Sequence, residues 1–298
     1  ERAAAVGAVG DALGPEAPDA ERIAAVVSTL AARDPSRDDR TPDSVRRAGS
    51  EVFAGILVEL SSRRGRGKLH STFAEGLWRA LAADPEAKPR AEEVSALNAA
   101  LILLADHELA ASTFAARVAA SAWAGPYRVI LAGLGPLGGS LHGGAGLAVE
   151  ALLDEVAAGA DPGAALDTLI AAGPVPGFGH RVYRDRDPRA DHLLTRLGLD
   201  RGRPLLPIAP QRTTTGAAAA LLEAAETRGL PAPNVDFALA ALVKAHRLRA
   251  GSSATIFTVA RIAGIVAHAL EEYEHRLRFR PRASYVGPTP PAPSAPAG

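Results

Sequence analysis

Val94, Leu97, Leu101 and Leu104 fall three or four residues apart and draw one apolar stripe along a helix face. Spacing of this kind fills the chain, while the strict alternation of a half-buried strand is nearly absent. Aromatic residues make up only 4% of the sequence, and Ala, Leu, Glu and Arg dominate the periodic segments, which favours helix over strand by propensity. Helices are predicted over 1–13, 20–33, 44–60, 73–83, 91–104, 110–122, 147–158, 162–172, 186–198, 216–228, 237–246 and 255–275, with Pro or Gly at almost every junction. The one short apolar run that reads as a strand is 127–132. The fold class predicted is all-α.

With 298 residues and 47% hydrophobic content, the chain can bury a substantial core, and its length suits two domains. Basic and acidic residues balance at 33 each, so no global field draws it toward nucleic acid or an anionic membrane. The absence of cysteine excludes thiol chemistry, iron–sulfur ligation and disulfides. No run of about 18 apolar residues reads as a membrane span, and the start lacks a signal-peptide layout, so a cytoplasmic protein is expected. The chain opens on Glu1 and contains no methionine, so a missing upstream piece is also expected. The basic run from Arg63 to Lys68 reads as a solvated loop, because no aromatic residues interleave for base stacking. Residues 287–298 are mostly Pro and Ala and are expected to form a disordered tail.

The chemistry-bearing stretch is Val175 to Ala190. It sets His180 in a glycine-flanked turn and Arg189 nine residues later, a pattern that can offer backbone N–H groups, an imidazole and a guanidinium to one anion. Alone, it reads equally well as an ordinary polar loop. Gly133, Gly135 and Gly138 match a dinucleotide-binding fingerprint behind the strand-like 127–132, but no βαβ repetition follows and Pro136 removes a backbone donor. Further candidates are His107 in Asp-His-Glu-Leu, His142 in Leu-His-Gly-Gly-Ala, Asp236 in Pro-Asn-Val-Asp-Phe, and Arg261 and Arg280. No short paired-histidine spacing supports a metal site, and none is expected.

In order, these segments resemble the citrate synthase family. The resemblance runs through His-Glu-Leu-Ala-Ala-Ser-Thr-Phe-Ala-Ala-Arg (107–117), Leu-His-Gly-Gly-Ala (141–145), Pro-Gly-Phe-Gly-His-Arg-Val-Tyr (176–183) with Asp187-Pro188-Arg189, and Pro-Asn-Val-Asp-Phe (233–237). It continues through Ala260-Arg261 and Ala267-His268 and closes on Arg280-Pro281-Arg282 and Tyr285-Val286-Gly287. The first 90 residues match weakly, and the N-terminal part looks shorter than in typical members.

The resemblance implies condensation of an acyl-CoA with oxaloacetate to give citrate and free CoA, a step of the tricarboxylic acid cycle, with the thioester as co-substrate and no other cofactor. It implies Asp236 as base, His142 as donor to the thioester oxygen, and His180 as the group that polarises the ketone. His107, His180, Arg189, Arg261 and Arg280 would hold oxaloacetate, and Val175, Pro176, Gly177, Phe178 and Gly179 would meet CoA. It also implies a homodimer in which Arg280 reaches the neighbouring site, with a large helical domain (1–146 and 254–286) and a smaller one (147–253) inserted in it. Two alternatives stand beside this: 2-methylcitrate synthesis from propionyl-CoA, and a non-catalytic ligand sensor. Where the family usually carries asparagine, this chain has Ala110 and Gly146.

Overall fold

The computed structural model describes residues 2–14, 16–62, 71–139, 142, 144–199 and 214–288. The basic run Arg63 to Lys68 and residues 289–298 of the expected tail lie outside the described residues, as do Leu141 and Gly143 of the His142 motif. Among the described residues the chain forms thirteen helices and no strand. They are α1 (Arg2–Leu13), α2 (Asp19–Arg33), α3 (Pro42–Ser62), α4 (Phe73–Leu81), α5 (Ala91–Ala105), α6 (Ala111–Ser121), α7 (Pro126–Leu137), α8 (Ala145–Ala157), α9 (Pro162–Ala172), α10 (Pro188–Arg196), α11 (Thr214–Thr227), α12 (Val235–Ala245) and α13 (Ser252–His275). The all-α expectation holds.

The run at 127–132, the one stretch that could pass for a strand, is the first half of α7. Pro126 at the first helical position presets φ, and Tyr127, Ile130, Leu134 and Leu137 then fall three or four residues apart on a buried face. The fingerprint glycines lie in the same helix and its C-cap, which removes any phosphate loop. Gly133 serves packing: a Cβ there would come within 2.5 Å of Ile265 on α13.

Helix α13 is the central post of the fold, packed against α3, α5, α6, α7, α8 and α12. By length and mean hydropathy (1.5 over its best window) it is apolar enough to cross a membrane, although Arg261 breaks the apolar run. In the fold, 61% of that window is buried inside the protein, and the helix carries buried Arg261 and Glu272.

The helices that bring chemistry to the site start on capping residues embedded in the motifs. Asn234 accepts from the N–H groups of Asp236 (3.0 Å) and Phe237 (3.4 Å) and opens α12. Asp187 accepts from Arg189 N–H (3.0 Å) and opens α10, with Pro188 behind it. Each such cap contributes about 1 kcal/mol. Helix α12 therefore begins two residues before the predicted 237, which moves Asp236 into its first turn.

Candidate active site

Four chain segments converge on a cluster of imidazoles. His107 follows the C-terminus of α5, His142 sits between α7 and α8, His180 lies in the turn between α9 and α10, and Arg189 is the second residue of α10. The His107 and His142 rings stack at 5.4 Å between centroids, and His180 stands edge-on to His107 at 6.1 Å. Phe257 of α13 presents its ring to both His107 (5.2 Å) and His142 (5.8 Å) and closes the cluster from behind.

Arg189 is buried and ties the cluster together. Its Nη1 donates to His107 Nδ1 at 2.8 Å, its Nη2 faces His180 Nε2 at 3.3 Å, and Tyr183 lies under its guanidinium at 5.0 Å. His180 Nδ1 accepts from the backbone N–H groups of Val182 and Tyr183, both at 3.1 Å. A neutral His180 therefore carries its proton on Nε2, so that Nε2–H and the Arg189 guanidinium are two donors aimed at one place. A carboxylate or ketone oxygen satisfies both.

All three imidazoles are held neutral. Burial, then the charge of Arg189, pushes His107 down to about 3. Burial followed by Arg261 lowers His142, and burial followed by Arg189 lowers His180. Ser112 of α6 contacts His142 Nε2 at 2.9 Å. At neutral pH the cluster thus offers polarised N–H donors beside the Arg189 guanidinium.

Asp236 is the opposite case. Burial pushes its carboxyl up to about 6, with Arg189 pulling down and Asp187 pushing up. No hydrogen bond joins its carboxylate to another described residue, so it is an unengaged base that titrates close to neutrality.

The turn at Val175–Gly179 has a positioning role. Gly177 (φ 85°) and Gly179 (φ 75°) are left-handed, and Gly179 N–H donates to Ala232 O at 2.8 Å while Asn234 N–H donates to Gly177 O at 2.9 Å. The Asn234 side chain donates to Gly179 O at 2.8 Å. The His180 turn is thereby fastened to the segment that launches Asp236.

Two arginines stand apart from the cluster. Arg261 is fully buried beneath it, donating from Nη1 to Leu104 O and Ala105 O and from Nη2 to Thr113 Oγ1 at 2.9 Å. Arg280 is exposed in the non-helical segment after α13, and no hydrogen bond or ion pair joins it to the cluster among the described residues. Sequence reasoning missed Ser112, Tyr183 and Phe257, none of which has a spacing that marks it, and it left Asp187 without a role.

Residues 4–282 match the family profile of the citrate synthase C-terminal domain. The chain belongs to the citrate synthase family. Citrate synthase 2 of Bacillus subtilis (strain 168) is 39% identical over 209 residues, covering 67% of this chain and 53% of that protein. The 2-methylcitrate synthase of Mycobacterium tuberculosis (strain Erdman) is 31% identical over 287 residues, covering 89% of this chain and 67% of that protein. Among solved structures, the ternary complex of carboxymethyl coenzyme A and oxaloacetate with citrate synthase from Thermoplasma acidophilum superposes with a TM-score of 0.72 at 28% identity. It covers 97% of this chain and 77% of that one. Citryl-CoA lyase from Hydrogenobacter thermophilus gives a TM-score of 0.61 at 27% identity, covering 74% of this chain and 86% of that one. The chain spans about half the length of the first curated relatives it matches (53% and 56%). The all-α architecture is that of the citrate synthase fold.

The two family departures have local consequences. Ala110 occupies the N-cap of α6 and supplies no side-chain cap, just before the turn that carries Ser112 and Thr113. Gly146 lies in the first turn of α8 so close to α13 that a Cβ would meet Ser253 Oγ at 2.8 Å.

Proposed function

We propose that this chain condenses an acyl-CoA with oxaloacetate, with Asp236 taking the proton beside the thioester. The observation that carries the reading is the contrast within one site between an unengaged carboxyl pushed up to about 6 and three imidazoles held neutral around Arg189. Removing a weakly acidic carbon-bound proton requires a base and, at the same moment, a donor to the oxygen on which negative charge develops. His142 is that donor: with the Ser112 hydroxyl donating into Nε2, its proton stands on Nδ1, free for the thioester oxygen. His180 Nε2–H polarises the ketone and protonates the alkoxide formed on carbon–carbon bonding. Arg189 and His107 hold a substrate carboxylate, and hydrolysis of the citryl thioester releases CoA. Arg261 steadies the end of α5 from below and contributes its field to the carboxylate site.

The inserted-domain arrangement belongs to the same proposal. His107 and His142 come from 1–146, whereas His180, Arg189 and Asp236 come from 147–253, so relative motion of the two parts would assemble or separate the catalytic set. The Arg189–His107 bond and the Arg196–Ser95 bond (3.0 Å) both cross that division. The turn at 175–179 is the proposed CoA contact; Phe178 and Pro231–Pro233 border a cavity of about 460 Å³ beside it.

A second copy of the chain completes the site in this reading. Ile102, Leu109, Phe114 and Val118 expose apolar surface on and around α5 and α6, and Phe114 stacks on Phe279 at 6.4 Å, one residue before Arg280. A homodimer that covers this surface would carry Arg280 toward the neighbouring cluster. Propionyl-CoA is the second acyl donor to consider, because the 2-methylcitrate synthase relative aligns over 89% of this chain. The test is release of free CoA thiol from purified protein supplied with oxaloacetate and either acetyl-CoA or propionyl-CoA, with His142→Ala expected to lose most of the rate.

A further inference from the structure

We propose that Asp187 is a positioning residue that joins the carboxylate-binding arginine and the base-bearing helix into one unit, so that seating a dicarboxylic 2-oxo acid on Arg189 also aims Asp236. The inference rests on the reading of the site given above and assigns a role to a residue outside the catalytic set.

Asp187 is 2% exposed, and each of its oxygens accepts two hydrogen bonds. Oδ1 takes the backbone N–H of Arg189 (3.0 Å) and Arg189 Nε (2.9 Å). Oδ2 takes Arg189 Nη2 (2.9 Å) and the backbone N–H of Val235 (3.0 Å). Val235 is the first residue of α12 and Asp236 the second, just as Arg189 is the second residue of α10. One buried carboxylate therefore caps two helix N-termini at once, and each helix bears a functional side chain at the same position. Two positive helix ends and a bidentate guanidinium keep Asp187 ionised: these hydrogen bonds hold its carboxyl below the usual range against the opposing effect of burial.

The arrangement leaves Arg189 little freedom. With Nε and one N–H of Nη2 committed to Asp187, the remaining N–H groups are left for His107 and for a ligand between His107 and His180. Any pull on the guanidinium is passed through Oδ2 to the N–H that begins α12. The charge of Asp187 acts on the base as well, opposing the field of Arg189 at Asp236.

The experiment compares the full chain with Asp187→Asn and Asp187→Glu, using calorimetric titration with oxaloacetate and carbon-13 NMR titration of the Asp236 carboxyl, assigned by its loss in Asp236→Asn. Neither readout requires turnover. Asp187→Asn is expected to weaken oxaloacetate about tenfold or more, the usual cost of unpairing a buried charge, and to move the Asp236 midpoint to lower pH. The sign follows because a neutral amide in place of the Asp187 carboxylate no longer opposes Arg189. Asp187→Glu, which keeps the charge but displaces it by one methylene, is expected to weaken binding while leaving the midpoint in place. Unchanged affinity in both variants overturns the proposal. Weakened affinity with an unmoved midpoint in Asp187→Asn also overturns it, since a merely structural role gives that result. A wild-type chain that fails to bind oxaloacetate defeats the functional reading, and the Asp236 midpoint then decides on Asp187 alone.

Discussion

Arg189 donates from Nη1 to His107 Nδ1 at 2.8 Å, and the ring receives that bond as a neutral imidazole because burial and the adjacent guanidinium push it down to about 3. The pair fixes the character of the whole site. The Arg189 guanidinium, with Arg261 as a second cation beneath, is surrounded by rings that cannot add to its charge, so directed hydrogen bonds from Arg189 and the rings fix where an anion sits.

Arg189→Lys keeps the charge and discards the fork. A lysine cannot satisfy Asp187, His107 and a substrate carboxylate together, so KM for oxaloacetate is expected to rise by about tenfold or more while the fold persists. Initial-rate kinetics at fixed acyl-CoA reads the change, and an unaltered KM contradicts the assigned role.

Burial of the Asp236 carboxyl costs stability. Its folded-state carboxyl is raised to about 6 from the ordinary value of 3.8, so ionising it costs the folded state, with no penalty below about pH 4 and the full penalty above the folded value. Asp236→Asn is therefore expected to melt above the wild type at pH 8 and with it at pH 4. The gap at pH 8 is on the order of 1–3 kcal/mol, discounted for partial exposure. Calorimetric melting at the two pH values checks this.

Ala110→Asn restores a cap to the first turn of α6, where Ala110 has the extended backbone of an N-cap and no side chain to accept a bond. The expected gain is about 1 kcal/mol, seen as a higher Tm. The turn it firms supports His142 through Ser112, so catalytic rate is expected to stay level or rise.

Gly146→Asn, the matching change at the second departure, is expected to do the reverse. Its Cβ would stand 2.8 Å from Ser253 Oγ on a packed helix pair, and relief of such overlap costs about 1–3 kcal/mol. Adding Ser253→Gly in the same chain is expected to recover most of the loss, and a double-mutant cycle measures the coupling.

Much of this molecule is legible in its sequence. Helical periodicity carries the fold class, and the motif histidines 107, 142 and 180 do meet in one cluster, where Arg189 reaches His107 and His180. Residues 127–132 mislead because a short apolar run has no period of its own; Gly125 and Pro126, which start the helix, carry the signal. The apolar window of α13 is hidden in the sequence because Arg261 interrupts it, yet Arg261 is buried in the core. Arg261 is a substrate ligand by resemblance, and its side chain runs under the cluster to the last carbonyls of α5, a direction that no pattern of letters encodes. The cap residues Asn234 and Asp187 are visible as motif letters, and only their hydrogen bonds reveal why the motif needs them.

The most direct test is the rate of oxaloacetate-dependent CoA thiol release between pH 5 and 8, with acetyl-CoA and with propionyl-CoA. The base must be ionised to act, so release is expected to rise with pH through a midpoint near 6, set by the Asp236 carboxyl, and to vanish in Asp236→Ala. A wild-type chain that binds oxaloacetate but releases no thiol from either donor at any of these pH values contradicts the account.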